Sequence, residues 1–223
     1  MKSFIVYLFV AAIFASLAVL ICECCSCMPI HPQEHYCRSD FVILARVRRE
    51  LGYNRNSGDR VYKTRIRKEF KMSDKAREAL KSGRILTSWD EATCGVKFDV
   101  GKTYLITGRV VHLHARVSLC GMINIPWNKF TKRQRKGLRM MYGRGCQCKI
   151  QQCRNYYHDG IKKKSCYPSK NSCPWFNWSP DLSDCYSRYG FCLSSVRNRQ
   201  CRWVRNNDLL ECNRNLYNTT KFV

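Results

Sequence analysis

Cys25, Ser26 and Cys27 follow directly on an apolar run, so a cysteine stands where an export signal would be cleaved. Cleavage after Cys24 would give Cys25 a free α-amine beside its own carbonyl group. These two groups can close a five-membered chelate ring on a metal ion, which no interior residue of a polypeptide can do. The pattern therefore predicts metal-directed chemistry at a newly formed N-terminus.

Residues 1–24 have the three-part plan of a signal peptide. Lys2 precedes an apolar run over residues 4–21, and small residues follow at Cys22 and Cys24. The run is long enough for a transmembrane anchor, but no basic stop-transfer cluster follows it. A cut after Cys24 also removes two of the 16 cysteines and leaves an even number, which can pair completely. We therefore expect the signal to be removed and the protein to be secreted into the extracellular space or matrix.

The chain combines 16 cysteines with a formal net charge of +24. Many cysteines in an exported chain indicate disulfides that supplement a limited core. Such a charge would suggest nucleic acid in a cytosolic protein, but export argues against that partner. Outside the cell, the polyanions available are heparan sulfate and related matrix components and anionic membranes, and binding to them would depend on salt. A merely soluble basic surface explains the charge equally well.

Cysteine density changes along the chain. Cysteines are sparse from Cys37 to Cys120 and crowd together from Cys146 onward. The first part has room for strands and a core, whereas the second must be short-looped and cross-linked. We expect a monomer with two domains, residues 25–147 and residues 148–223.

The first domain is predicted to be mainly β. The segments with apolar or alternating patterns typical of strands are residues 41–47, 62–70, 102–111 and 115–119. In the second of these segments, Tyr62, Thr64 and Ile66 share one face, and basic residues occupy the other. Several short strands with one or two helices favour a small closed barrel such as an OB-fold.

Two helices are predicted in the same domain. Residues 73–81 begin with Ser73 as an N-cap, and a second helix covers about 126–142, where apolar residues repeat on one face. The second domain has weak periodicity, which is typical of short strands and loops. Within it, Asn177 and Asn218 stand in N-glycosylation acceptor patterns.

Three short motifs near the expected N-terminus occur together. They are Cys25-Ser26-Cys27, His31-Pro32-Gln33 and Cys37-Arg38-Ser39-Asp40. This combination resembles the mature N-terminus of the tissue inhibitors of metalloproteinases. Further matches to that family are Thr93-Cys94-Gly95, Cys120 followed by Ile125-Pro126-Trp127-Asn128, and Gly145-Cys146-Gln147-Cys148. The resemblance covers residues 25–203.

The resemblance implies a five-stranded, netrin-like OB-fold barrel with flanking helices, followed by a small disulfide-rich domain of strands and loops. It also implies six disulfides, which are Cys25–Cys94, Cys27–Cys120, Cys37–Cys146, Cys148–Cys201, Cys153–Cys166 and Cys173–Cys192. Cys185 and Cys212 have no counterpart in the family. Since they are the two cysteines left over, we predict a seventh disulfide between them.

The resemblance further implies an inhibitor of zinc metalloproteinases rather than an enzyme. In this family the α-amine and carbonyl of the first cysteine coordinate the catalytic zinc of the target, a role that falls to Cys25. No cofactor of the inhibitor's own is implied. The implied inhibitory edge consists of Cys25, Ser26, Cys27, Met28, Pro29, Ala92, Thr93 and Cys94.

Other functions are compatible with parts of the sequence. The close cysteine pairs at 25/27 and 146/148 could bind structural zinc, but export and an even number of cysteines favour disulfides. His112 and His114 could act as metal ligands on one face of a strand, but two exposed polar residues are favoured because no third ligand is evident. A basic netrin-like module could instead bind matrix or heparan sulfate without inhibiting an enzyme. No Ser-His-Asp set or carboxylate pair in the sequence indicates catalysis.

Overall fold

A computed structural model describes residues 25–54, 58–123, 125–158, 161–166, 169–176, 179 and 181–220. The expected signal peptide, residues 1–24, lies outside the described residues, as does Asn177. Within the described ranges, no helix has both the length and the apolar character needed to cross a membrane. The fold is mainly β, with a closed five-stranded barrel, flanking helices and a disulfide-rich C-terminal region, as predicted.

Five strands form the barrel. They are β1 (Phe41–Asn54), β2 (Asp59–Met72), β3 (Arg84–Ser88), β4 (Thr103–Val111) and β5 (His114–Arg116). The strands close in the order β1-β2-β3-β5-β4. Neighbouring strands are antiparallel, except that β3 and β5 meet in parallel and complete the barrel.

The first two strands differ in how they are buried. In β1, Phe41, Val42 and Ile43 are all completely buried, so the start of this strand is covered on both faces. In β2, Tyr62 and Thr64 are buried, whereas Arg65 is exposed. Because successive side chains of a strand point to opposite faces, apolar residues fill the barrel and basic residues cover its outside. This confirms the predicted basic face of β2.

The sequence pattern misses β3. Its central residues Ile85, Leu86 and Thr87 are all buried, so their side chains do not show an alternating pattern of exposure. A short apolar run covered on both faces cannot be assigned to a strand by periodicity alone. The strand is fixed instead by its pairing with β2 and β5.

The turn between β4 and β5 corrects the expectation for two histidines. His112 and Leu113 form the turn, with φ angles of 48° and 63°, and His114 is the first residue of β5. Two consecutive residues in the left-handed region give the tight turn that suits a β-hairpin. His112 and His114 therefore do not share a strand face, and both are exposed, which agrees with the favoured interpretation of two exposed polar residues.

Two short helices flank the barrel, α1 (Pro32–Arg38) and α2 (Asp74–Ala79). The second confirms the prediction for this segment. Its N-cap is Ser73, whose Oγ accepts a hydrogen bond from the backbone N–H of Ala76 at 3.3 Å. An unbonded N–H at the start of a helix is satisfied in this way.

The prediction of one continuous helix over 126–142 is wrong. The segment divides into a 3-10 turn (Trp127–Lys129), helix α3 (Lys132–Lys136) and a π-helical turn (Gly137–Met141). Thr131 causes the break, because its hydroxyl and backbone N–H form a reciprocal capping box with Gln134. Since a capping residue has extended backbone, a helix cannot run through it.

The C-terminal region consists of three small ladders and two helices. Its elements are β6 (Lys149–Gln152), β7 (Asn155–His158), β8 (Ile161–Lys164), β9 (Ser172–Trp175), α4 (Cys185–Tyr189), β10 (Cys192–Ser194), β11 (Cys201–Trp203) and α5 (Asn207–Thr220). The ladders pair β6 with β9, β7 with β8, and β10 with β11. The interpretation as strands and loops misses both helices. Asn218 belongs to α5, and its side chain is outside the described part.

Seven disulfides join the same cysteine pairs that the sequence analysis names, including Cys185–Cys212. The last of these links α4 to α5. Among the side chains of α5 that the structure describes, Leu209 is the buried apolar one, so this covalent link adds to a small apolar contact. None of the seven disulfides joins a residue of 25–147 to a residue of 148–223. The domain boundary between residues 147 and 148 remains a prediction.

Helix α1 joins the barrel to the C-terminal region through Gln33. This side chain is completely buried. Its Nε2 donates to the carbonyl oxygens of Cys192 at 2.8 Å and Gly145 at 3.2 Å, and its Oε1 accepts from Cys192 N at 3.0 Å. The neighbouring Glu34 accepts from Ile150 N at 2.9 Å. Gln33 of the His-Pro-Gln motif therefore stabilises the packing of α1 against the C-terminal region.

Replacing Gln33 with Ala is expected to lower the free energy of unfolding by about 2 kcal/mol, because buried backbone groups would lose their partners. Guanidinium unfolding with the disulfides intact would measure the change. The matched control is Gln147→Ala, which truncates an exposed glutamine. Equal stabilities of the two variants would contradict this role of Gln33.

Candidate functional site

Two adjacent disulfides attach the segment that begins at Cys25 to the barrel. Cys25 is bonded to Cys94, and Cys27 is bonded to Cys120. The two bridges are in contact, since the Sγ of Cys120 lies 3.6 Å from that of Cys25 and 3.5 Å from that of Cys94. The segment is therefore held at two points only two residues apart.

Side chains alternate in exposure along this segment. Cys25 and Cys27 are partly buried, whereas Ser26 is exposed and Met28 is 71 % exposed. No helix or strand includes these residues. The tethered cysteines thus face the barrel, and the side chains available to a partner molecule are Ser26 and Met28.

The loop on the other side of the first disulfide is organised by Asp90. Its carboxylate accepts from Ala92 N at 2.9 Å, and its carbonyl oxygen accepts from the Thr93 hydroxyl at 2.9 Å. Cys94 has a left-handed φ of 62°. Gly95 follows because a Cβ there would collide with backbone oxygens, including that of Asp90 at 2.7 Å. Ala92 and Thr93 are consequently exposed beside Cys25.

The Cys25–Cys94 disulfide joins the two parts of the expected edge, which are the segment from Cys25 to Pro29 and the loop from Ala92 to Cys94. Sequence reasoning missed two residues that support it. One is Asp90, which an Asx-turn pattern ahead of the loop could have indicated. The other is Gln152 of β6, whose side-chain amide donates to the carbonyl oxygen of Pro29. No local signal indicates that second contact.

The disulfides exclude a structural zinc site at the cysteines of the edge. The sulfur atoms of Cys25, Cys27, Cys94 and Cys120 lie within 4.8 Å of one another, a spacing that thiolates could use to hold a metal. Zinc binds cysteine as a thiolate, and each of these sulfurs is bonded to another sulfur. The same holds for the 146/148 pair, whose members belong to separate disulfides.

Two buried histidines lie directly behind the edge. His31 packs against the rings of Trp175 and Trp203, with centroid distances of 5.4 Å and 5.3 Å. Its Nε2 lies 2.9 Å from the carbonyl oxygen of Tyr186, and its Nδ1 accepts from the backbone N–H of Gln33. These contacts fix the neutral tautomer with hydrogen on Nε2.

Burial controls the charge state of both histidines. It lowers the pKa of His31 to about 4 and that of His35 to about 4. A hydrogen bond with the backbone of Gly121 favours the charged form of His35 but does not outweigh burial. Both side chains are therefore neutral at physiological pH, and α1 carries no histidine charge behind the edge.

Comparisons with known proteins agree with this arrangement. Residues 23–203 match the family described as tissue inhibitor of metalloproteinase. The chain is 36 % identical over 195 residues to metalloproteinase inhibitor 3 of Gallus gallus, with 85 % of this chain and 86 % of the relative covered. It is 31 % identical over 197 residues to metalloproteinase inhibitor 2 of Homo sapiens, with 82 % of each covered. It is also 29 % identical over 197 residues to a tissue inhibitor of metalloproteinase of Drosophila melanogaster, with 85 % and 86 % covered. The chain therefore belongs to the tissue inhibitor of metalloproteinase family, whose members are inhibitors and not enzymes.

Proposed function

We propose that the protein is a secreted inhibitor of zinc metalloproteinases and that Cys25, as the first residue of the mature chain, chelates the catalytic zinc of its target. The observation that carries this proposal is the exposed segment whose first and third residues are each tied to the barrel by a disulfide. Family membership supports the class of target. Seven disulfides support an oxidising location outside the cell.

The proposed mechanism removes the nucleophile of the target enzyme. A catalytic zinc has three protein ligands and a water molecule that it activates for attack. The amine nitrogen and carbonyl oxygen of Cys25 would displace this water. The amine binds metal only when it is neutral, and its ordinary pKa is about 7.7 to 8.0. Protonation therefore competes with inhibition as the pH falls below neutrality.

The paired disulfides would reduce the entropic cost of binding. A flexible N-terminus loses conformational freedom when it enters a cleft, and this loss weakens the complex. Here Cys25 and Cys27 are anchored before binding, and Pro29 and Pro32 restrict the backbone that follows. The segment can thus enter the cleft already ordered.

Ser26 is proposed to enter the target's pocket beside the zinc. Replacing it with Gly is expected to weaken inhibition about tenfold, because a buried contact is lost and the backbone gains freedom. Stability should not change, since Ser26 is exposed. Inhibition constants against several metalloproteinases measure the effect, with Ser82→Gly as the control at another exposed serine. An unchanged constant would remove Ser26 from the site.

Two measurements on the secreted protein test the proposed function. N-terminal sequencing should return Cys25 as the first residue, and the protein should inhibit metalloproteinases in a one-to-one complex. Targets with thiol or serine nucleophiles should be unaffected, because they have no catalytic zinc. Failure to inhibit any of a broad set of metalloproteinases, when Cys25 is confirmed as the first residue, would overturn the proposal.

A second function, binding of heparan sulfate or matrix, is favoured by exposed basic residues on β2 and α3. On β2, Arg65, Arg67 and Lys68 are exposed in succession along the barrel. Phe70 of the same strand packs on Trp127 at a centroid distance of 5.9 Å. Trp127 belongs to the 3-10 turn that precedes α3, and in α3 Lys132 and Lys136 are exposed.

Replacing Arg65, Arg67 and Lys68 with Gln is expected to lower the salt concentration that elutes the protein from heparin. Each lost cation reduces the number of counterions released, so the slope of log affinity against log salt should fall by about 2. The control replaces three exposed cations elsewhere, Arg84, Lys97 and Arg205. Equal elution of both triple variants would contradict a β2-centred surface, and inhibition should be unaffected in either.

A further inference from the structure

A cavity of about 450 Å³ lies between α1, the β4–β5 hairpin and the loop that carries Thr93 and Cys94. This volume is within the range of small-molecule sites. Its lining includes three arginines, Arg38, Arg109 and Arg116, and no Asp or Glu among the described residues. The cavity therefore presents only positive formal charge to a ligand.

The three arginines differ in how far their charge is balanced. Arg116 forms a bidentate ion pair with Asp59, whose side chain is 1 % exposed. Arg38 forms an ion pair with Glu34 at 2.5 Å, and its side chain remains 53 % exposed. Two of the guanidinium groups thus have carboxylate partners from outside the lining.

Arg109 has no such ion pair in the described part of the chain. Its Nε donates to the carbonyl oxygen of Arg38 at 3.1 Å, which holds the guanidinium beside the end of α1. Asp40 is the nearby carboxylate and interacts electrostatically with Arg109, but its ion pair is with Lys75 at 2.8 Å. The terminal nitrogens of Arg109 consequently keep their hydrogen-bonding capacity.

The pairing of β4 with β5 places two of these arginines next to each other. Arg109 of β4 and Arg116 of β5 are direct cross-strand partners, and like charges placed opposite each other destabilise a sheet. Asp59 neutralises one member of the pair. An anion beside Arg109 would neutralise the other and would stabilise the hairpin at this point.

We propose that the cavity binds a small oxyanion, a sulfate or phosphate group, through the guanidinium groups of Arg109 and Arg38. Arginine presents a planar fork of N–H donors that matches the oxygens of such groups. Ser118 and Gly121 border the same cavity, where Ser118 Oγ accepts a hydrogen bond from Gly121 N at 3.2 Å. This site is independent of zinc chelation, although Thr93 and Cys94 belong both to its lining and to the inhibitory edge.

Titration of the full secreted protein with sodium sulfate tests the proposal. At constant ionic strength maintained with sodium chloride, the backbone amide resonances of Gly108, Ser118 and Gly121 should shift and saturate. The variant Arg109→Gln should raise the apparent dissociation constant at least about tenfold, because a charge-assisted hydrogen bond is lost. Arg109→Lys should lie between, since it keeps the charge and loses the fork. Arg84→Gln, which removes an exposed cation outside the cavity, should bind like the unaltered protein.

Titration with N-acetylglucosamine 6-sulfate distinguishes the source of the anion. Tighter binding of this compound than of inorganic sulfate would identify a sulfated sugar, and equal binding would identify the free oxyanion. Shifts that do not saturate, or that sodium chloride reproduces, would overturn the proposal. Binding by both Arg109 variants as tight as that of Arg84→Gln would overturn it as well, and the dispersion of the spectra shows that each variant is folded.

Discussion

One alanine added before Cys25 is expected to abolish metalloproteinase inhibition while the fold stays unchanged. The addition turns the α-amine into an amide nitrogen, which is a poor metal ligand, and extends the chain into the space of the zinc. Loss of the chelate should weaken inhibition at least about 1,000-fold, which corresponds to about 4 kcal/mol. Acetylation of the Cys25 amine should have the same effect without added length.

Inhibition constants of the extended, acetylated and unaltered proteins measure this effect, and guanidinium unfolding checks the fold. The matched control carries the extra alanine after Val223, where it should change neither quantity. Retention of full potency by the extended protein would rule out the Cys25 amine as the zinc ligand. Loss of potency after extension but not after acetylation would indicate that the added residue blocks entry into the cleft sterically and that the amine is not a zinc ligand.

Acid is expected to destabilise the protein through His31 and His35. Burial lowers the pKa of each to about 4 in the folded state, whereas an unfolded histidine has a pKa of about 6.5. The unfolded state therefore binds more protons between these values, so stability is complete above about pH 6.5 and falls as the pH approaches 4. The loss should reach about 3 kcal/mol per histidine.

The variant His31→Asn separates this effect from other acid effects. Asparagine can keep the N-cap hydrogen bond to Gln33 and does not titrate. Its free energy of unfolding should lose only about half as much as that of the unaltered protein between pH 7 and pH 4. The control is His114→Gln, which replaces an exposed histidine. A full-sized loss in His31→Asn would show that other groups are responsible.

Two long strands of the barrel could be predicted from the order of their residues. β1 was indicated by its apolar run, and β2 by the alternation of buried Tyr62 and Thr64 with exposed basic residues. The pattern fails at β3, where Ile85 to Thr87 are buried together. It also fails at Thr131, whose capping box divides a segment with helical periodicity.

The C-terminal helices could not be predicted for a different reason. Helix α5 has few apolar residues, and its position depends on the disulfide from Cys212 to Cys185. That disulfide was predicted because Cys185 and Cys212 were the two cysteines left over, but this pairing gave no indication of a helix. The His-Pro-Gln motif illustrates the same limit, because its Gln33 is bound by Cys192, which is 159 residues away.

The sequence alone determined that a cysteine follows an apolar run with the plan of an export signal, that the cysteines after this run are even in number and can pair, and that the motifs around Cys25 are those of an inhibitor family. Only the tertiary structure decided what surrounds Cys25. Closure of the barrel brings Cys94 and Cys120 to the segment from 69 and 93 residues away. It also sets Arg109 opposite Arg116 and seats α1 against the C-terminal region. Sequence patterns record which side chains are buried, whereas the partners of a buried or tethered residue depend on contacts between distant parts of the chain.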